Sequence, residues 1–196
     1  QKNLDTEIPH WDFDRTRQEL NSIWEQRLSQ VTIQTNNRND KEKFYGALYR
    51  ASFLPRTFND VDGRYPSFST GHPFRQSANG RNYYEDYSMW DTYRALHPLV
   101  NILTPKKAGD MMQSLVDKYE QGGWLPIFPC WNSYTAAMIG DHCISALGDA
   151  YIKGIRNFDI NKACEGMLRN AFRTPATYEE YKNGMGRRAL NSYLKY

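Results

Sequence analysis

The sequence predicts an all-α protein built of helical hairpins, as a bundle or as an α/α toroid. Three observations carry this. Apolar residues recur at helical spacing in one segment after another. Short and long connections alternate between these segments, with no βαβ rhythm and no internal repeat. Much of the aromatic content clusters near Gly, Pro and Asn in the long connections, so those loops carry the unusual chemistry.

Taken in order, residues 12–30 read as an amphipathic helix with Phe13, Leu20, Ile23, Trp24, Arg27 and Leu28 along one face. "VTIQT" alternates briefly and predicts a short strand, and Asn36–Asp40 a turn. Asp40 is placed to cap the next helix, which carries Phe44, Ala47, Leu48 and Ala51 on one face and ends by Pro55. Residues 55–88, punctuated by Gly63, Pro66, Gly71, Pro73 and Gly80, read as a long loop with one hairpin. A helix over Trp90–Leu103 follows. Thr104-Pro105 starts another, with Ala108, Met111, Met112, Leu115, Val116 and Tyr119 on its stripe and Gly122-Gly123 closing it. "WLPIFPCWNS" is a second loop. Residues 134–155 are apolar almost all round and predict a buried helix. Helices over about 160–172 and 178–195 complete the chain.

Bulk properties exclude several classes. Hydrophobic residues make up 40% and charged residues 24% of the 196, which fits a globular chain and not a disordered one. The net charge of +3 is spread without a basic block, so no phosphate-tracking stripe exists and nucleic acid is no partner. No apolar run approaches the ~20 residues needed to span a bilayer. Cys130, Cys143 and Cys164 are odd in number and irregular in spacing, and read as three buried thiols instead of a disulfide framework. There is no P-loop, G-x-G-x-x-G, G-x-S-x-G or H-E-x-x-H.

What remains is a set of aromatic and acidic residues. "YEDYSMWDTYRALH" crowds aromatics, acids, an Arg and a His into fourteen positions. Ser88 and Asp91 there have a plain explanation as helix-start residues. Trp90 beside Asp91 has a second one: an apolar ring next to a carboxylate suits a sugar, with its C–H face and its hydroxyls. Phe128 and Trp131, with Trp124, sit on one Pro-rich loop that forms a ligand wall or a lid over a core. Asp141, Ser145 and Asp149 fall at i, i+4 and i+8. Asp149 reads as a structural partner of an Arg or Tyr, whereas Asp141, nearer the loop, faces a site, and His142 points elsewhere. Asp60 and Asp62 in "NDVDGRY" read as a turn, because the further acids of a calcium loop are missing.

"FYGALYRASFLPRTFNDVDGRY", "YYEDYSMWDTYRALHPL", "YEQGGWLPIFPCW" and "AAMIGDHCISALGDAYIKG" resemble, in order, motifs of glycoside hydrolase family 92, calcium-dependent exo-α-mannosidases common in gut and soil bacteria. The resemblance implies an N-terminal β-sandwich joined to an (α/α)6 toroid, with residues 1–35 as linker helix and lead-in segment and 36–196 as the N-terminal part of the toroid. It implies an inverting hydrolase that removes terminal α-linked mannose, α-1,2 in linkage, from a mannose-containing glycan outside the cytoplasm, periplasmic or extracellular. Trp90 and Asp91 match the pair that contacts the terminal mannose, and Phe128 and Trp131 match aromatics near that sugar. The general acid, the general base and most of the metal site are expected downstream of Tyr196, so no catalytic residue and no calcium ligand is assigned in this segment. Tyr134 stands where the family often has an acid, which leaves the linkage open. The chain reads as a fragment whose partner is the remainder of its own polypeptide, inactive alone and prone to associate through the open flank of 134–155. Another toroid glycosidase, a polysaccharide lyase and a non-catalytic carbohydrate-binding helical scaffold are the alternatives.

Overall fold

The computed structural model describes residues 1–187 and 190–196. It is helix-rich with little strand, in agreement with the all-α expectation. The chain divides into two compact units, Gln1–Phe53 and Leu54–Tyr196.

The first unit holds α1 (Lys2–Glu7), α2 (Phe13–Leu28) and α3 (Arg38–Arg50). Asp12 caps α2 by accepting from the Arg15 N–H, and Asn37 caps α3 by accepting from the Asn39 N–H. Asp40 thus lies in the first turn of α3 and not at its cap, because Asn37 supplies the capping oxygen three residues earlier. "VTIQT" forms no strand; among the described residues it has no partner strand to complete a ladder. Trp24 packs on Tyr49 at 4.5 Å between ring centroids and on Phe53 at 6.1 Å. Arg27 and Leu28 are half-buried on the same stripe, whereas Phe13, Leu20 and Ile23 are exposed.

The second unit is organised around α6 (Pro105–Gly122). Pro105 opens α6 at its first turn, and Gly123, left-handed at φ 85°, closes it. Thr104 occupies the N-cap position, but its hydroxyl donates back to the Val100 carbonyl. The helix is buried nearly all round. Its apolar stripe joins a core with Val100, Leu125, Cys143, Leu147, Ala150, Ile155, Phe158 and Ala163, and its polar Asp110, Gln113, Ser114 and Lys118 are buried as well. The expected all-round buried helix at 134–155 is the shorter α7 (His142–Ile152), buried on one face only. Met138 and Gly140 have positive φ, so 134–141 is loop, and Ile152 is exposed.

The expected helix over 90–103 is two: α4 (Met89–Thr92) and α5 (Leu96–Leu103). Pro98 explains the break. Its ring would clash with a carbonyl four residues back, so the helix restarts with Pro98 in its first turn. Residues 55–88 contain the expected hairpin, β2 (Arg64–Pro66) with β3 (Phe74–Gln76), and around it a second antiparallel pair, β1 (Arg56–Thr57) with β4 (Tyr84–Glu85). Asp62-Gly63 make the turn expected of them, Gly63 at φ 83°. After α7 come α8 (Ile160–Phe172), α9 (Tyr178–Lys182) and α10 (Leu190–Lys195). The expectation of one helix over 178–195 fails at Gly184 and Gly186, both at positive φ, and part of it falls on 188 and 189, outside the described residues. Of the three thiols, Cys143 is buried, Cys130 half-buried and Cys164 exposed, all free; Cys164 lies on the solvent side of α8, which corrects the expectation that all three are buried.

Lys118 fastens β4 to α6. Its ammonium, 0% exposed, sits 2.8 Å from Glu85 Oε2, whose side chain is equally enclosed. It donates to the Tyr84 carbonyl at 2.6 Å and lies over the rings of Tyr83, Tyr87 and Phe68. Burial pulls the Lys118 amine down from its usual range, and the Glu85 carboxylate opposes it. Removing one partner strands the other charge in the core. Lys118→Met is therefore expected to destabilise the full-length protein by about 3–5 kcal/mol, and Lys118→Met with Glu85→Leu to recover most of it, read by urea denaturation.

His97 is buried on α5, stacked on Tyr87 at 6.0 Å, with Nε2 unpartnered among the described residues. Burial holds its pKa down at about 4 against an opposing pull from Asp149. The unfolded chain takes up this proton near 6.5 and the folded chain only near 4, so stability falls as pH drops through that window. His97→Phe should flatten the melting temperature between pH 6.5 and 4; an unchanged slope would assign the loss to other groups.

Candidate functional site

Segment 83–91 is laid onto α6 by polar ties that skip the intervening chain. The Tyr84 N–H donates to Ser114 Oγ at 2.9 Å, and the Tyr87 hydroxyl donates to the Met111 carbonyl at 2.8 Å. With the Lys118 contacts, these fix where α4 begins. Met89 is wholly buried beneath it, which turns Trp90 and Asp91 outward. Trp90 is half-buried and Asp91 exposed. Ser88 stands at the N-cap of α4, but its hydroxyl donates to Asp91 Oδ2 at 2.6 Å and not to the helix backbone. The carboxylate is thereby held at the start of α4, one residue after Trp90, with acceptor capacity to spare.

His142, the first residue of α7, closes this side. Its ring stacks on Tyr93 at 4.1 Å and meets Trp90 edge-on at 5.5 Å. Arg94 lies over both Trp90 and Tyr93 and donates to the Trp90 carbonyl. Burial and Arg94 both lower the His142 pKa, so the ring is favoured in its neutral form. The expectation that His142 points away is thus corrected. It assumed a helix through 134–155, whereas Gly140 bends the chain at φ 98° and α7 starts two residues later.

Asp141 occupies the N-cap position of α7 and accepts from Asn170 Nδ2 at 3.3 Å. Its Oδ2 is enclosed with no partner among the described residues, and burial raises its pKa. Because Asp141 precedes the helix, it does not share a helical face with Ser145 and Asp149. Asp149 instead accepts from Asn101 Nδ2 at 3.0 Å and pairs with Lys153, not with an Arg or Tyr.

The loop after α6 is pinned at several points. Asn170, fully buried, brackets Leu125 by donating to its carbonyl and accepting from its N–H. The Tyr134 hydroxyl does the same for Trp124. Trp124 is buried, so it belongs to the lid over a core, under Arg169. Phe128 is half-buried, and its carbonyl accepts from the Thr135 hydroxyl. Trp131 is 81% exposed. The Tyr87 N–H donates to the Pro129 carbonyl at 2.9 Å, and the Trp131 N–H donates to Asp86 Oδ1 at 3.1 Å. Loop 128–131 therefore runs beside the segment that carries Trp90 and Asp91.

The structure brings Trp90, Asp91 and the start of α7 together, and ties the backbone of the Phe128–Trp131 loop to the same segment. Asp86, Tyr93, Arg94, His142 and Asn170 were not identified from the sequence. "GDH" held the one available signal, a Gly able to end a loop just ahead of a helix start. Calcium takes six to eight oxygen ligands, and no group of three or more acidic, His or Cys residues converges to hold a metal among the described residues. This segment alone does not fit the ion.

A model of the glycosyl hydrolase family 92 catalytic domain matches residues 1–196. The structure superposes on the family GH92 α-mannosidase BT3965 of Bacteroides thetaiotaomicron with a TM-score of 0.82 at 31% identity, over 92% of this chain and 24% of that one. That enzyme has also been solved in complex with mannoimidazole. The inverting GH92 mannosidase BT2199 of the same organism gives 0.86 at 28% identity, over 98% and 25%. An uncharacterized secreted glycosidase of Arthroderma benhamiae is 24% identical over 87% of this chain and 18% of its own length. The chain thus spans about a quarter or less of the length of these relatives. Matched along its whole length by the family model, the chain belongs to glycosyl hydrolase family 92.

Proposed function

We propose that the full-length protein removes terminal α-linked mannose, α-1,2 in linkage, from glycans by an inverting, calcium-dependent hydrolysis outside the cytoplasm. The observation that carries the reading for this chain is Asp91: an exposed carboxylate, held by Ser88, on the residue that follows the half-buried Trp90. The ring offers an apolar wall to a sugar face, and the carboxylate accepts from adjacent hydroxyls. Family membership and the mannosidase activity of the solved relatives support mannose as that sugar. The relative described as secreted supports export, and no described helix is long and apolar enough to cross a membrane.

In this reading the helices belong to the first part of an (α/α)6 toroid, 36–196, preceded by a linker segment, 1–35. Trp90, Asp91, Phe128, Trp131 and Asp141 bind and orient substrate. The acid and base, whose carboxyls in inverting enzymes stand ~6.5–9.5 Å apart around a water, lie outside this segment. So does most of the calcium site. The segment alone is then inactive.

The test is hydrolysis of α-1,2-mannobiose by the full-length protein, with the first-formed anomer read by NMR. Inverted product and loss of rate in a chelator are expected, and a retained anomer or chelator-insensitive rate would overturn those parts. Asp91→Ala should lower kcat/KM by roughly 100-fold or more, the worth of two charge-assisted hydrogen bonds, with an unchanged melting temperature. Near-wild-type turnover would remove Asp91 from the site.

A further inference from the structure

Trp131 sits where a Trp is costly. It and Asn132 are consecutive non-glycine residues in the left-handed region, at φ 55° and 57°. They are the central pair of a tight turn closed by Cys130 and Ser133, whose N–H groups each donate to the other's carbonyl. Two left-handed central residues are the mark of a type I′ turn, which favours Asn and Gly. A Trp there gains no burial, since the ring is 81% exposed. Strain of this kind persists only where surrounding contacts over-determine it.

The contacts are present on both sides. Asn132 Nδ2 donates to the carbonyls of Pro66 and Ser67, and the Ser69 N–H donates to the Asn132 carbonyl. On the other side stands Asp86, 8% exposed and itself left-handed at φ 63°. One carboxylate oxygen accepts from the Trp131 N–H; the other is 2.5 Å from Arg56 Nε. The Cys130 thiol lies close enough to this carboxylate to feel its charge. Burial and the neighbouring acids push that thiol up to about 11, which leaves it unreactive near neutrality.

We propose that Asp86, charge-balanced by Arg56, is a positioning residue that holds the Trp131 turn rigid so that the exposed indole serves as a platform for a sugar ring of the glycan substrate. This rests on the glycosidase reading above and deepens it by assigning a specificity role to a residue away from the Trp90–Asp91 pair. A rigid aromatic ring binds at little entropic cost, and a turn that sways loses that advantage.

The experiment uses the full-length enzyme with a mannose oligosaccharide, comparing wild type, Trp131→Ala, Asp86→Asn, and the double variant Asp86→Asn with Trp131→Ala. Asn keeps the shape and the left-handed tolerance of position 86, and Asp86→Gly, which accepts any φ, replaces it if the Asn variant is unstable. Trp131→Ala is expected to raise KM roughly three- to tenfold, the worth of one aromatic stacking contact, with kcat held. Asp86→Asn should do the same, and the double variant should be no worse than Trp131→Ala alone. In Asp86→Asn, alkylation of Cys130, followed on its own peptide, should accelerate while Cys143 stays protected.

Additive losses in the double variant, a fall in kcat alone, or an unchanged Cys130 rate in a folded Asp86 variant would overturn the proposal. A wild-type enzyme inactive on mannosides fails differently. It overturns the functional reading and with it the sugar platform, while Cys130 alkylation still reports whether Asp86 holds the turn.

Discussion

The second unit depends on one enclosed cation. Lys118 is fully enclosed, and its charge is met by Glu85, the Tyr84 carbonyl and the faces of Tyr83, Tyr87 and Phe68. A buried pair of this kind adds little stability over an apolar replacement, but it tolerates only one arrangement, since any slip leaves a charge unpaired. Here the arrangement sets the register of β4 on α6. Asp86 follows Glu85 directly and takes up the Trp131 turn. Ser88 and Asp91 follow within one further turn of chain. The position of the Asp91 carboxylate is thus inherited from a contact made in the core.

The site is accordingly a set of loops with few degrees of freedom. Asn170 on α8 brackets Leu125, Tyr134 brackets Trp124, and Asn132 ties the far end of the same loop to 66–67. These are side-chain amides and hydroxyls pairing with backbone, the usual way for buried loop backbone to be satisfied without regular structure. Rigid aromatic walls suit sugars, whose binding must repay the ordering of both partners.

Helices with a one-sided apolar period were legible in the sequence. α2, α3, α6 and α8 fall where Leu, Met, Phe and Ala recur at three and four, and Gly123 ends α6 as its left-handed conformation requires. The failures share a cause. The loop at 134–141 is rich in apolar residues, so its composition imitates a buried helix, and only the positive φ of Met138 and Gly140 separates the two. Strands of two or three residues in 55–88 exist through distant pairing, Arg56 with Glu85, which no local window contains. Trp90 and Asp91 stood out because the pair is odd for a helix start. Asp86 and His142 did not, because their roles come from partners 45 to 52 positions away.

Two glycines bound how far this site can be redesigned. At Gly184, φ 83°, a methyl group would stand 2.2 Å from the Thr135 carbonyl oxygen, and at Gly140 it would stand 2.4 Å from His142 Nε2. Between these fixed points Ala137, Met138 and Ile139 are exposed. A mutational library on this loop can therefore diversify Ala137 and Ile139, provided both glycines are left as they are and Met138, at φ 64°, is changed only to residues that accept the left-handed region.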